Sequence, residues 1–166
     1  MKDRTREALF SRLGGMFQGG IAIDLFAGTG VLGFESLSRG ATEAWLLELD
    51  PKAAADIRLS AKQLGFEAQA NIRCGDSFLL ADHIIQQLQQ APTMSPWLVY
   101  FCPPYSLWRD KSAEMQQLLQ RFCSTAPKGS TIIAELEEKT PVEILPNTLE
   151  WDIRLYRPAQ VAIADV

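Results

Sequence analysis

The chain has 166 residues, 47% of them hydrophobic and 22% charged, a balance expected of one globular domain spanning residues 1–166. Its formal net charge of −4 argues against nonspecific coating of nucleic acid, and no apolar run approaches the ~20 residues needed to cross a bilayer. Met1-Lys2-Asp3-Arg4 lacks the apolar stretch of a secretory leader. Cys74, Cys102 and Cys123 are too scattered for a disulfide framework or a zinc site. A cytoplasmic monomer without membrane or metal partners is the expectation.

The first predicted helix runs from Arg4 to Leu13, with Leu9, Leu13 and Phe17 at a spacing of four and Gly14-Gly15 as its stop. Residues 1–12 carry four basic side chains (Lys2, Arg4, Arg6, Arg12) against Asp3 and Glu7, a local excess that suits an RNA contact or an ordinary solvated face equally. Ile21–Phe26 reads as an apolar strand holding one acid, Asp24. A glycine loop follows, then a helix over Val31–Ser38 closed by Gly40. Ala44–Leu49 is the second strand. Asp50-Pro51 opens a helix, Asp as cap and Pro at the first helical position. Its expected inner face is Ala54, Ile57, Ala61 and Leu64, and Gly65 ends it.

Ala70–Cys74 reads as the third strand. Ser77–Gln90 reads as a helix striped by Leu80, Ile84 and Leu88, with His83, the only histidine, as a surface or satisfied helix residue. Trp97–Cys102 is apolar throughout, as a strand covered on both faces should be. Ser112 is the expected cap of a helix burying Met115, Leu118, Leu119 and Phe122. Pro127-Lys128-Gly129 turns the chain into a fifth strand, Ser130–Leu136. Two last strands, Trp151–Tyr156 and Gln160–Ala164, joined at Arg157-Pro158, predict an antiparallel hairpin. The alternation predicts an α/β, Rossmann-like fold: a mostly parallel seven-stranded sheet, helices on both faces, and a C-terminal antiparallel hairpin. Ligands of such sheets bind at the carboxyl ends of the strands.

Gly28-Thr29-Gly30-Val31-Leu32-Gly33 matches G-x-G-x-x-G between a strand and a helix, where glycines let the backbone approach a ligand. Glu48, twenty positions after Gly28, can accept hydrogen bonds from ribose hydroxyls, which suits NAD or S-adenosylmethionine. Asp24 tips the balance. A pyrophosphate gains nothing from a nearby acid, whereas a sulfonium cation with its amino group does. Asp76 reads either as a helix cap or as an acceptor for an adenine amine, with the Ser77 N–H beside it.

Asp24-Leu25-Phe26-Ala27-Gly28-Thr29-Gly30, Leu47-Glu48-Leu49-Asp50 and Pro103-Pro104-Tyr105 stand in an order that resembles the bacterial methyltransferases acting on a guanine N2 amine of small-subunit ribosomal RNA. Asp3-Arg4-Thr5-Arg6-Glu7-Ala8-Leu9-Phe10 and the closing hairpin around Tyr156 are also similar to that family, so the resemblance covers nearly the whole chain. It implies an S-adenosylmethionine-dependent enzyme with ribosomal RNA or the small subunit as partner. Asp24, Phe26, Gly28, Thr29, Gly30, Glu48, Leu49, Asp76 and Ser77 would hold the cofactor. Cys102, Pro103, Pro104 and Tyr105 would face the target.

In that family an Asp or Asn precedes Pro-Pro-Tyr. An exocyclic amine is a poor nucleophile because its lone pair is drawn into the ring. An acceptor side chain and the following Pro carbonyl orient that lone pair, while the aromatic ring stacks on a base swung out of its helix. Here Cys102 takes the acceptor's place, and a thiol accepts weakly. Loss of a preorganised group of this kind costs about 100- to 1,000-fold in rate. Three readings follow: a slower enzyme relying on the Pro103 carbonyl, a protein that only binds cofactor or a partner, or a Cys102 nucleophile with no evident activating base. Members of that family usually carry a basic N-terminal hairpin ahead of the first helix, whereas the predicted first helix begins here at Arg4, so poor affinity for bare RNA is the expectation. An NAD-dependent oxidoreductase is the remaining alternative, disfavoured by Asp24 and Pro103-Pro104-Tyr105.

Overall fold

A computed structural model describes residues 1, 3–14, 17–90 and 95–166. Lys2 of the N-terminal basic cluster and Gly15 of the first helix stop lie outside the described residues. The elements in chain order are α1 (Asp3–Arg12), β1 (Ile21–Asp24), α2 (Val31–Ser38), β2 (Glu43–Glu48), α3 (Pro51–Leu64), β3 (Ala70–Cys74), α4 (Ser77–Gln89) and β4 (Trp97–Phe101). They continue with α5 (Tyr105–Asp110), α6 (Ser112–Thr125), β5 (Thr131–Glu137), a short 3-10 turn (Val142–Ile144), β6 (Asp152–Tyr156) and β7 (Ala159–Asp165).

The strands form one sheet in the order β3-β2-β1-β4-β5-β7-β6. The first five are parallel, and β7 runs antiparallel to both β5 and β6. This is the expected Rossmann-like α/β architecture with its C-terminal hairpin. β7, not β6, lies against β5, so the chain crosses to the sheet edge for β6 and turns back. Strand order reverses between β1 and β4, which puts the crevice for a ligand beyond their carboxyl ends.

Alternation along the central strands feeds two cores. Ile23, Val99 and Phe101 pack with Ile84, Leu88, Leu118 and Phe122 of α4 and α6. Their neighbours Ala22, Leu98 and Tyr100 pack on the other face with Leu9, Phe34 and Ile57 of α1, α2 and α3. All five residues of β4 are buried, as its unbroken apolar run requires.

Local chemistry sets most element ends. Asp50 accepts from the Ala53 N–H at 2.7 Å and Pro51 takes the first helical position. Gly65, at φ 77°, closes α3 by accepting the left-handed conformation that a side chain resists. Leu64 is 56% exposed and is not part of the α3 core face. It sits at the rim of the stripe defined by Ala54, Ile57 and Ala61, in the final turn. Ser112 is not a cap. Lys111 occupies that position without a side-chain bond, because α6 follows α5 after a single residue. The α6 inner face is as expected, and His83 is exposed. Helix α5 is an addition to the sequence reading. Six residues show too little periodicity to be recognised, and Trp108 anchors it, buried with its Nε1 donating to the Glu135 carbonyl at 2.9 Å. Among the described residues, no helix is long and apolar enough to cross a membrane.

Candidate active site

The carboxyl ends of β1, β2, β4 and β5 surround two hollows. One, of about 480 Å³, is lined by Glu48, Leu49, Asp76, Ser77 and Phe78 among others. The other, of about 550 Å³, is lined by Asp24, Thr29, Cys102, Pro103, Tyr105 and Glu135 among others. They share Phe26, Gly28 and Pro104 and therefore adjoin. The residues singled out from sequence thus gather at one sheet edge, although they span positions 24 to 105. Gly30 lines neither hollow.

The glycine loop is shaped by its own chain. β1 stops at Asp24, two residues short of the expected Phe26, because the backbone there leaves the sheet to turn. Gly28 and Gly30 have φ of 56° and 77°. A Cβ on Gly30 would meet Phe34 at 2.9 Å and Leu46 at 3.0 Å, so this glycine serves the seating of α2 on β2. Glu48 holds the loop from the next strand. Its Oε2 accepts from the Gly28 N–H and its Oε1 from the Asp50 N–H, both at 2.8 Å. Each oxygen retains a second lone pair, and Glu48 lines the first hollow.

Asp24 is 1% exposed. Burial lifts its carboxyl from the usual 3.8 to about 7. The Phe26 N–H, 3.4 Å from Oδ1, and the Met1 amino group oppose that rise, and the negative charge of Glu48 adds to it. A buried acid of this kind is a ready partner for a cation.

Asp76 caps α4, its Oδ1 accepting from the Phe78 N–H at 2.9 Å, while Oδ2 lies 3.8 Å from Lys111 Nζ. The cap reading therefore holds, and Asp76 and Lys111 both line the first hollow. Ser77 is buried and its hydroxyl donates to the Leu25 carbonyl, tying α4 to the end of β1. Phe26 and Phe78 meet edge to face at 6.2 Å and give the first hollow an apolar wall.

Cys102 is half-buried, one residue past β4. Burial raises its thiol well above the usual range, and the charges of Glu135 and Asp24 raise it further. A thiol kept neutral lacks the thiolate that attacks carbon, which removes the physical basis of the nucleophile reading. Tyr105 opens α5 with its ring toward the second hollow, and its hydroxyl donates to Glu135 Oε1 at 3.1 Å. Burial, then the charge of Glu135, pushes the Tyr105 hydroxyl up to about 12.

Sequence reasoning missed Glu135. The signal was present: a single acid within the apolar run Ile132-Ile133-Ala134-Glu135-Leu136, the same signature that marked Asp24. Lys111 at the rim of the first hollow was missed too, since only α5 carries it there. Among the described residues, no group of three His, Cys, Asp or Glu side chains is placed to hold a metal ion.

A family model described as Conserved hypothetical protein 95 matches residues 1–161. Ribosomal RNA small subunit methyltransferase D of Escherichia coli is 33% identical over 103 residues, 62% of this chain and 48% of that protein. The chain thus spans about half the length of the curated relatives it matches. Among solved structures, a conserved hypothetical protein of Streptococcus pyogenes superposes with a TM-score of 0.73 at 25% identity, covering 96% of this chain and 94% of its own. An RNA methyltransferase of Salinibacter ruber in complex with S-adenosyl-L-homocysteine shares the fold, with a TM-score of 0.69 at 13% identity. That match covers 100% of this chain and 92% of the other.

Proposed function

The chain belongs to the family described as Conserved hypothetical protein 95, and from that premise we propose that it transfers a methyl group from S-adenosylmethionine to the exocyclic amine of a guanine in small-subunit ribosomal RNA. The observation that carries this reading is the meeting of two chemically different hollows at Phe26, Gly28 and Pro104. One offers ribose acceptors and aromatic walls, the other a neutral thiol, an aromatic ring and two buried acids. The names of the relatives and the ligand of the Salinibacter protein support the same reading.

The residues present fit the cofactor by their donor chemistry. Asp24 suits its cationic amino-acid end, Glu48 its ribose hydroxyls, and Phe26, Leu49 and Phe78 the faces of its base, with Asp76 and Ser77 at the base's edge. When bound, S-adenosylmethionine supplies a methyl group activated by its sulfonium cation. The chain's own part is placement: Pro103 and Pro104 fix the backbone after β4, and the Tyr105 ring offers a face on which an extruded base can stack. Holding amine and methyl donor in line is worth much of the rate. The proposed setting is a cytoplasmic monomer acting on ribosomal RNA or the small subunit.

Incubation with tritiated S-adenosylmethionine and unmodified small subunits or their RNA tests the proposal. Label in the RNA is the expected result. Cofactor binding without transfer to any RNA would make the chain a binding protein, and thermal stabilisation by NAD in place of S-adenosylmethionine would make it an oxidoreductase.

Glu48→Ala is expected to weaken S-adenosylmethionine binding at least tenfold by calorimetry. It removes the ribose acceptors, each charge-assisted bond being worth roughly 1.5–3 kcal/mol, and frees the Gly28 N–H from its tie. Unchanged affinity in a folded variant would take Glu48 out of the site.

A further inference from the structure

We propose that the Glu135 carboxylate is the hydrogen-bond and proton acceptor for the target amine, supplied from β5 in place of the acceptor side chain absent at Cys102. This rests on the methyltransferase reading above and adds a catalytic residue to it.

The sheet register is the first observation. Phe101 of β4 pairs with Ala134 of β5, so the next residues, Cys102 just past β4 and Glu135 still within β5, stand side by side. The Glu135 backbone N–H faces the thiol, and its negative charge is felt there. The second observation is where the carboxyl lies. Glu135 is 5% exposed and lines the hollow with Asp24, Cys102, Pro103 and Tyr105. A buried acid in an apolar strand costs stability unless something offsets it, which makes its position there informative.

The third observation is its contacts. Oε1 receives the Tyr105 hydroxyl, and Oε2 is ion-paired at 3.4 Å with the Met1 amino group, a nitrogen donor in the position that the target amine would take over or share. A carboxylate oxygen has lone pairs for a further N–H. Tyr105 thereby links two tasks: its ring offers a stacking face and its hydroxyl fixes the orientation of the acceptor. α5 thus meets Glu135 twice, Trp108 at the backbone carbonyl and Tyr105 at the carboxylate, which leaves Oε2 as the oxygen on the side away from that helix's bonds.

The step balances without another reactant. As the amine nitrogen bonds to the methyl carbon, the carbon–sulfur bond breaks and its electron pair leaves on sulfur as a neutral thioether. The nitrogen, now positive, gives one proton to Glu135 and becomes a neutral methylated amine. Glu135 later returns that proton to water. Before transfer, the same carboxylate accepts an N–H and turns the lone pair toward the methyl group.

The test uses the full chain, Glu135→Gln, Glu135→Leu and Tyr105→Phe, with folding checked by circular dichroism. Single-turnover transfer to small-subunit RNA should fall at least 100-fold in Glu135→Gln, while S-adenosylmethionine affinity stays within about threefold. Tyr105→Phe keeps the ring and should lose less than tenfold. A second readout needs no turnover: equilibrium binding of an RNA fragment with guanosine or inosine at the methylated nucleotide, in the presence of S-adenosylhomocysteine. Wild type should prefer guanosine at least tenfold, and Glu135→Leu, which has no acceptor where Gln keeps an amide oxygen, should lose that preference, because inosine lacks the amine. Full activity in Glu135→Gln, an equal loss in Tyr105→Phe, or an undiminished guanosine preference would each overturn the assignment and leave the methyltransferase reading standing. A wild type that methylates no RNA would overturn both.

Discussion

Asp24→Asn is expected to stabilise the free protein at pH 8 by several kcal/mol while weakening S-adenosylmethionine binding by tenfold or more. The two effects share one cause. Burial holds the Asp24 carboxyl at about 7 in the folded chain against 3.8 when exposed. Below pH 3.8 both states are protonated and the acid costs nothing. Between 3.8 and 7 the folded state keeps a proton that the unfolded state has released, so stability falls as pH rises. Above 7 both are ionised and the full cost remains, on the order of 4 kcal/mol for three pH units. Asn carries no such charge, so the variant's stability should lack this decline. A bound cation reverses the balance by favouring the ionised acid. Below pH 7 binding must expel a proton, and affinity should drop up to tenfold per unit as pH falls. Urea unfolding and calorimetry from pH 5 to 8, on wild type and variant, measure both slopes. Equal slopes in the two proteins would mean that Asp24 does not carry the cation.

The sequence is most legible where function is local. Asp24 and the glycine loop are continuous in the chain, and Glu48 follows on the next strand at the distance that one crossover helix sets. Pro103-Pro104-Tyr105 is read in the same way because it directly ends a strand. What escapes the sequence is what depends on register between strands. Cys102 and Glu135 are 33 positions apart, and only the β4–β5 pairing makes them neighbours. Lys111 is similar, carried to the first hollow by a six-residue helix whose fold depends on burying Trp108. Errors at element ends have the same origin. Ser112 has the chemistry of a cap, but α5 brings Lys111 to that position first. Leu64 has the spacing of a core residue, yet it lies exposed in the last turn of α3.

Cys102→Asp sets the two accounts of the site against each other. Taken from sequence, with the family's acceptor missing, the substitution should raise methyl transfer by up to 100- to 1,000-fold. The structure changes that expectation. An Asp at 102 would enter a space already facing Asp24 and Glu135, whose charges act on the present thiol. A third buried carboxyl there is pushed toward its neutral form, and a protonated acid donates where an acceptor is required. With Glu135 in place, the substitution should therefore change transfer by less than about tenfold. In the Glu135→Gln background one negative charge is gone and an acceptor is needed, so the same substitution should restore about 100-fold or more. That non-additivity identifies two groups competing for one role. Single-turnover rates for wild type, both single variants and the double variant complete the cycle, with cofactor affinity measured alongside. A gain of 100-fold in Cys102→Asp alone would show that Glu135 supplies no acceptor in the wild-type chain. Failure of the double variant to recover at any pH up to 9, with cofactor still bound, would show that the two side chains do not reach the same amine.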